Sequence, residues 1–180
     1  MSDSAAELDK LHMLKGADYS RQVERIARMG VFHPVEGETG IYSVGGEGGG
    51  DYGNLLNAAR KAVAHGYEVY ILPNPRGTKT PDFIFERKGT FRLYELKTIS
   101  GRDSVSFQLY DSIGQSNRVL IHLMVNYKAS LLALSVKHYF EQNKDALEVL
   151  IFKGRKVISV SRELSQSKQF YGLFMKKYFK

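Results

Sequence analysis

The chain has 180 residues, which fits one domain with a core of its own, and 43% hydrophobic and 25% charged residues match an ordinary globular protein. No apolar run approaches the roughly 18 residues of a membrane span, and the opening MSDSAAELDKLHM lacks the basic-then-apolar layout of a signal peptide. The absence of cysteine excludes a disulfide scaffold, a thiolate zinc site and a cysteine nucleophile. The net charge of +7 lies in residues 151–180, where eight Lys and Arg face the single acid Glu163. Such a basic third favours a polyanion, although a solvated basic helix or an acidic protein partner fits the same charge.

In chain order, residues 4–29 follow a helical pattern (Leu8, Leu11, Leu14, then Val23, Ile26 and Ala27) broken near Gly16. Residues 30–53 are rich in glycine, with the run Gly45-Gly46-Glu47-Gly48-Gly49-Gly50, and read as a connection. This gives an N-terminal helical segment and linker over 1–53 and a main domain over 54–180. Leu55, Leu56, Ala59, Ala62 and Val63 predict a helix stopped at Gly66, and Tyr67–Leu72 a strand ended by Pro73-Asn74-Pro75. Gly77-Thr78-Lys79-Thr80 lacks the upstream glycine and following helix of a phosphate-binding loop. A hairpin follows over 82–87 and 91–98. Ser104 or Ser106 caps a helix through about Gln115, which runs into a strand from Arg118 to Met124. Residues 129–142 read as a helix, 147–152 and 156–160 as a hairpin turning at Gly154, and 162–179 as a terminal helix. The fold class is therefore α/β (mixed α+β), a central mixed sheet flanked by helices.

The chemistry concentrates in the hairpin Pro81-Asp82-Phe83-Ile84-Phe85 … Tyr94-Glu95-Leu96-Lys97-Thr98. A tight turn centred on Lys88-Gly89 pairs positions whose numbers sum to 177 and sets Asp82 opposite Glu95, about 5 Å apart at Cβ. Glu95 and Lys97 are two apart and project from the same face. Facing carboxylates repel unless a positive charge lies between them, so the arrangement asks for a divalent cation. A cross-strand surface salt bridge to Lys97 is the plainer reading of the same residues. Gln108, Ser112 and Gln115 fall on one helical face by spacing and are positioned to aim amides at this patch.

Asp82, Glu95-Leu96-Lys97 and Gln115-Ser116-Asn117 followed by an apolar strand resemble the PD-(D/E)xK nuclease superfamily. More narrowly, residues 54–165 are similar to the CdiA-type C-terminal tRNA nuclease toxin domains of contact-dependent growth inhibition and other bacterial polymorphic toxins. The resemblance implies a restriction-endonuclease-like core and metal-dependent phosphodiester cleavage, often of tRNA. It also implies a cognate immunity protein and action in the cytoplasm of a bacterial target cell, after export within a larger effector. On that reading Asp82, Glu95, Lys97 and Gln115 are catalytic, and Asp82 and Glu95, with the Leu96 carbonyl, hold Mg²⁺ or Mn²⁺, with Zn²⁺ left open. Lys97 orients the attacking water. Lys176, Lys177 and Arg118 are candidates for contact with nucleic acid. Family members often carry a further acid on the helix before the first core strand; here that helix offers Asn54 and Asn57, which leaves Asp51 and Glu47 in the loop before it or Glu24 on the N-terminal helix. None of the five histidines forms an HxH or HExxH spacing, and His122 sits inside an apolar strand as a core residue. A DNA endonuclease of the same fold and a non-catalytic nucleic-acid-binding module are the alternatives.

Overall fold

The computed structural model describes residues 16–44, 51–73 and 81–180. Residues 1–15, the glycine run with Glu47, His12, Asn74-Pro75 and Gly77-Thr78-Lys79-Thr80 lie outside the described residues. The helices are α1 (Gly16–Arg28), α2 (Tyr52–Ala64), α3 (Val105–Asp111), α4 (Ala129–Gln142), α5 (Arg162–Gln166) and α6 (Phe170–Phe179). The strands are β1 (His33–Pro34), β2 (Ile41–Ser43), β3 (Glu68–Ile71), β4 (Phe83–Arg87), β5 (Thr90–Ile99), β6 (Arg118–Leu123), β7 (Glu148–Lys153) and β8 (Lys156–Ser161). Two compact units account for them: Met1–Glu95 with Gly114–Ser116, and Leu96–Ile113 with Asn117–Lys180. Strand β5 passes from one to the other between Glu95 and Leu96.

The first unit is a mixed sheet. β1 is antiparallel to β2, β2 runs parallel to β3, and β3, β4 and β5 are antiparallel neighbours. The glycine-rich stretch expected to be a connection thus contributes two strands, too short to leave a period-2 signal and fixed by pairing with each other and with β3. Tyr70 pairs with Ile84 and Ile84 with Leu93, one transverse row of the sheet. Against Ile84 and Leu93 pack Val23, Ile26 and Ala27 of α1, spaced three and four residues apart as a helix requires to bury one stripe. α1 therefore folds back on the face of β5 that carries Leu93. Next to this row, the rings of Phe83, Phe85, Tyr67 and Tyr94 pack in tilted pairs with centroids 4.8–5.4 Å apart.

The second unit pairs β6 parallel to β7 and β7 antiparallel to β8. Its core alternates along the strands (Val119, Ile121, Leu123; Val149, Ile151; Ile158, Val160) and meets Leu132, Ala133, Val136 and Phe140 of α4. α4 occupies the span the sequence predicts, whereas the terminal helix is two. Ser167, in an extended conformation (ψ 141°), ends α5, and its carbonyl accepts from Phe170. Arg162 fastens the end of α4, its guanidinium donating to the carbonyls of Phe140 (3.1 Å), Ala146 (3.1 Å) and Asn143. The expected helix to Gln115 stops at Asp111. Ser112 turns its hydroxyl onto the Leu109 carbonyl at 2.6 Å, and Gly114 takes φ +91°, outside helical geometry. Gln115 is consequently not on a helical face with Gln108 and Ser112. Among the described residues no helix is long and apolar enough to cross a membrane.

Candidate functional site

The hairpin turns at Lys88 (φ 52°) and Gly89 (φ 78°), the pair of positive φ values a two-residue type I′ turn demands. The register is the one the sequence predicts, from Arg87↔Thr90 to Phe83↔Tyr94. At Asp82 it steps. The Asp82 amide donates to the Tyr94 carbonyl at 3.0 Å, so Asp82 and Phe83 both address Tyr94, the local arrangement of a β-bulge. The Asp82 carbonyl accepts from the Leu72 amide, just past β3, at 2.9 Å, so the backbone on both sides of the Asp82 Cα is held by a neighbouring segment. Asp82 thus enters the site on a clamped backbone, beside the residue that precedes Glu95.

Glu95 is 5% and Lys97 9% exposed, well below what charged groups on a surface strand would show. Burying a charge is costly without compensation, so each of the two calls for a partner. In the first unit, the Ser116 hydroxyl donates to the Leu93 carbonyl at 3.2 Å. That bond ties the short segment carrying half-buried Gln115 to β5, two residues before Glu95.

In the second unit, Lys97 Nζ lies 2.8 Å from Asp111 Oδ2 at the end of α3. Asp111 did not emerge from the sequence reading, which followed the amide and hydroxyl spacing of Gln108, Ser112 and Gln115. A signal existed: Asp111 is the sole acid between Asp103 and Glu141, and a lysine buried within a strand calls for a counter-charge.

The remaining candidates fall apart from these. Glu24 lies on α1, which folds back as a third ligand would require, yet its carboxylate accepts from Arg28 at 3.0 Å on an exposed face. Asp51 is exposed and precedes α2, engaging it through a backbone carbonyl bonded to Leu55. Arg118 donates to buried Glu148 at 2.9 Å, a cross-strand ion pair inside the second unit that turns its guanidinium to structural use. His122 is buried, as its apolar strand led one to expect. Of the eight terminal cations, Lys153 covers the Tyr178 ring, Lys156 donates to the Tyr178 carbonyl and Arg162 holds α4, while Arg155, Lys168, Lys176, Lys177 and Lys180 are exposed.

Among the described residues no three His, Cys, Asp or Glu gather into a cluster, and the candidate donors on and beside β5 are the carboxylates of Glu95 and Asp82. Mg²⁺ suits such a set, because it binds through one or two carboxylates and retains several waters. Zn²⁺ favours nitrogen and sulfur donors and suits it poorly.

No family model and no curated protein matches the chain. Among solved structures, the chain is similar to a CdiA-CT/CdiI toxin and immunity complex from Burkholderia pseudomallei, at 11% identity and a TM-score of 0.41, over 65% of this chain and 92% of that one.

Proposed function

We propose that this protein is a metal-dependent endonuclease toxin that hydrolyses phosphodiester bonds in RNA, with tRNA as its substrate, and that a cognate immunity protein neutralises it in the producing cell. The toxin acts in the cytoplasm of a bacterial target cell. The observation that supports this reading most is β5 itself, one strand carrying a buried carboxylate and a buried ammonium two residues apart, with the clamped Asp82 peptide bonded to Tyr94.

Asp82 and Glu95 would hold Mg²⁺ or Mn²⁺. When bound, the cation supplies Lewis-acid polarisation of the scissile phosphate. Lys97 orients the attacking water and stabilises charge that grows on the phosphoryl oxygens. The water oxygen bonds to phosphorus as the ester P–O bond breaks; the water gives a proton to solvent and the leaving oxygen takes one up. Asp111 fixes the direction of the Lys97 ammonium, and Gln115 offers an amide to the water or a phosphate oxygen.

The test is expression in bacteria followed by electrophoresis of total RNA, with purified protein assayed on tRNA, other RNA and DNA in Mg²⁺ or Mn²⁺. Growth arrest with cut tRNA, abolished by Asp82→Ala, is the expected result. Protein inert on every nucleic acid, indistinguishable from Asp82→Ala, would overturn it. Salt-dependent binding without turnover, unaltered by Lys97→Ala, would instead make it a binding module.

A further inference from the structure

The helix that ends in Asp111 carries two large aromatic rings in the open. Phe107 and Tyr110 are each 66% exposed, among the most exposed large apolar side chains of the described residues. Counting back from Asp111, they stand four and one residues before it. Phe107, Tyr110 and Asp111 are therefore spaced i, i+3 and i+4, and share one face of α3. Side chains at that spacing sit about 5–6 Å apart at Cβ. Phe107 is thus the helical neighbour both of Tyr110 and of the carboxylate that holds Lys97 at 2.8 Å.

Beside Tyr110 opens a shallow recess of about 70 Å³ between α3 and α4. Its wall is polar where it meets α4, with His138 and Gln142 one turn apart. The Ser106 and Ser135 hydroxyls bond to each other at 2.8 Å across it and fix the two helices at that point. The Tyr110 and Tyr139 rings in its lining, with the Gln142 amide and the His138 imidazole, are the groups that suit a nucleobase, whose faces stack and whose edges hydrogen-bond. The charge agrees: residues 96–113 and 117–180 hold fourteen Lys and Arg against six Asp and Glu.

We propose that Phe107 and Tyr110 form a base-stacking platform that seats an unpaired nucleotide beside Lys97, so that the preferred substrate is a loop or single strand rather than continuous duplex. The inference rests on the nuclease reading for its substrate, and its binding step is separable from cleavage. In a duplex the bases stack on one another and offer no free face to the rings. A loop nucleotide is already exposed, and each base stacked on an aromatic side chain gains about five- to a hundredfold in affinity.

The probe is a short single-stranded RNA bearing 2-aminopurine, whose fluorescence falls on stacking, titrated into the whole protein without divalent cation. Wild type is expected to quench it. Phe107→Ala and Tyr110→Ala should weaken binding about tenfold each; Tyr110→Trp, which keeps a stacking face, should restore it, and Phe107→Leu, which keeps apolar bulk alone, should not. With Mg²⁺ present, the two alanine variants should lose cleavage of the single strand mainly through KM, and wild type should cut its duplex more slowly. Quenching without cleavage of any RNA would uphold the platform and sink only the nuclease reading. Cleavage by wild type with unchanged quenching and KM in the alanine variants would overturn the platform and leave the nuclease reading standing. Unchanged quenching together with loss of a co-purifying protein would also overturn it, identifying the face as a protein dock.

Discussion

Lys97 Nζ and Asp111 Oδ2 stand 2.8 Å apart, a strand ammonium that is nearly buried and a helix-end carboxylate that is half exposed. The asymmetry divides stability from chemistry. Water reaches Asp111, but its removal leaves the nearly buried Lys97 ammonium without that counter-charge and should cost about 2 kcal/mol, short of the 3–5 of a pair buried on both sides. That is a fall of about 4–8 °C in Tm for a chain of this size. Activity should suffer more: Asp111→Asn is expected to lower kcat about tenfold or more with little change in KM, because Lys97 loses its fixed direction. Asp111→Glu should recover part of the rate. The double variant Lys97→Met, Asp111→Asn should fold as well as wild type, since an apolar chain suits the buried position, and cut nothing. Thermal melts with steady-state kinetics on tRNA check the set; equal loss of kcat and Tm across it would reduce Asp111 to a structural role.

The turn that sets the hairpin register can be tuned without touching the site. Lys88 adopts φ 52°, a left-handed conformation that side chains other than Asn, Asp and Gly adopt reluctantly. Lys88→Asn should raise stability by about 0.5 kcal/mol, and Gly89→Val should cost about 1–2. Nothing lies within 4 Å of a Cβ placed on Gly89, so the penalty would be conformational strain alone. Urea titration reads both. The same free energy from Lys88→Asn and Lys88→Ala would mean that φ at this position is not what limits the turn.

The hairpin was legible in the sequence because two local signals agreed, a Lys-Gly turn and alternation on either side of it. The position of Asp82 relative to Glu95 was only partly so. The bulge at Tyr94 arises from backbone held on both sides by neighbouring segments, and no pattern along one strand encodes that. Strands β1 and β2 were missed for the related reason that two or three residues carry no period, and β2 exists through its parallel pairing with Val69, Tyr70 and Ile71. The end of α3 turned on Gly114 at φ +91°, a glycine that ends a helix only where the fold asks for a left-handed residue. Asp111 is not legible from spacing because its place is set by the need of a buried lysine for a partner, which no pattern along α3 encodes.

Arg118 and the terminal lysines, alike on charge, should separate by experiment. Arg118 bonds Glu148, which is 5% exposed and also accepts from Ser159 at 2.5 Å. Arg118→Ala removes the cation from a buried carboxylate and should cost about 2–4 kcal/mol. Lys176→Ala and Lys177→Ala, on an exposed face, should leave stability unchanged. If they meet phosphates, each should reduce the salt slope of RNA binding by about one. Arg118→Ala with normal stability and a reduced slope would return Arg118 to the nucleic-acid interface.

His65 offers a test by pH. It lies at the end of α2, where burial, then the charges of Lys61 and Arg87, hold its imidazole below the ordinary value of 6.5. The unfolded chain therefore takes up the proton first. The neutral imidazole contributes stability that is present in full above pH 6.5 and is lost as pH falls through the lowered value. His65→Asn has no proton to gain, so wild type should lose more stability than the variant between about pH 7.5 and about pH 5.5. Arg87→Met should narrow that gap without closing it, because burial is the larger cause. Denaturant melts at the two pH values measure the difference. Parallel losses in wild type and His65→Asn would show that the folded and unfolded chains hold this proton equally well.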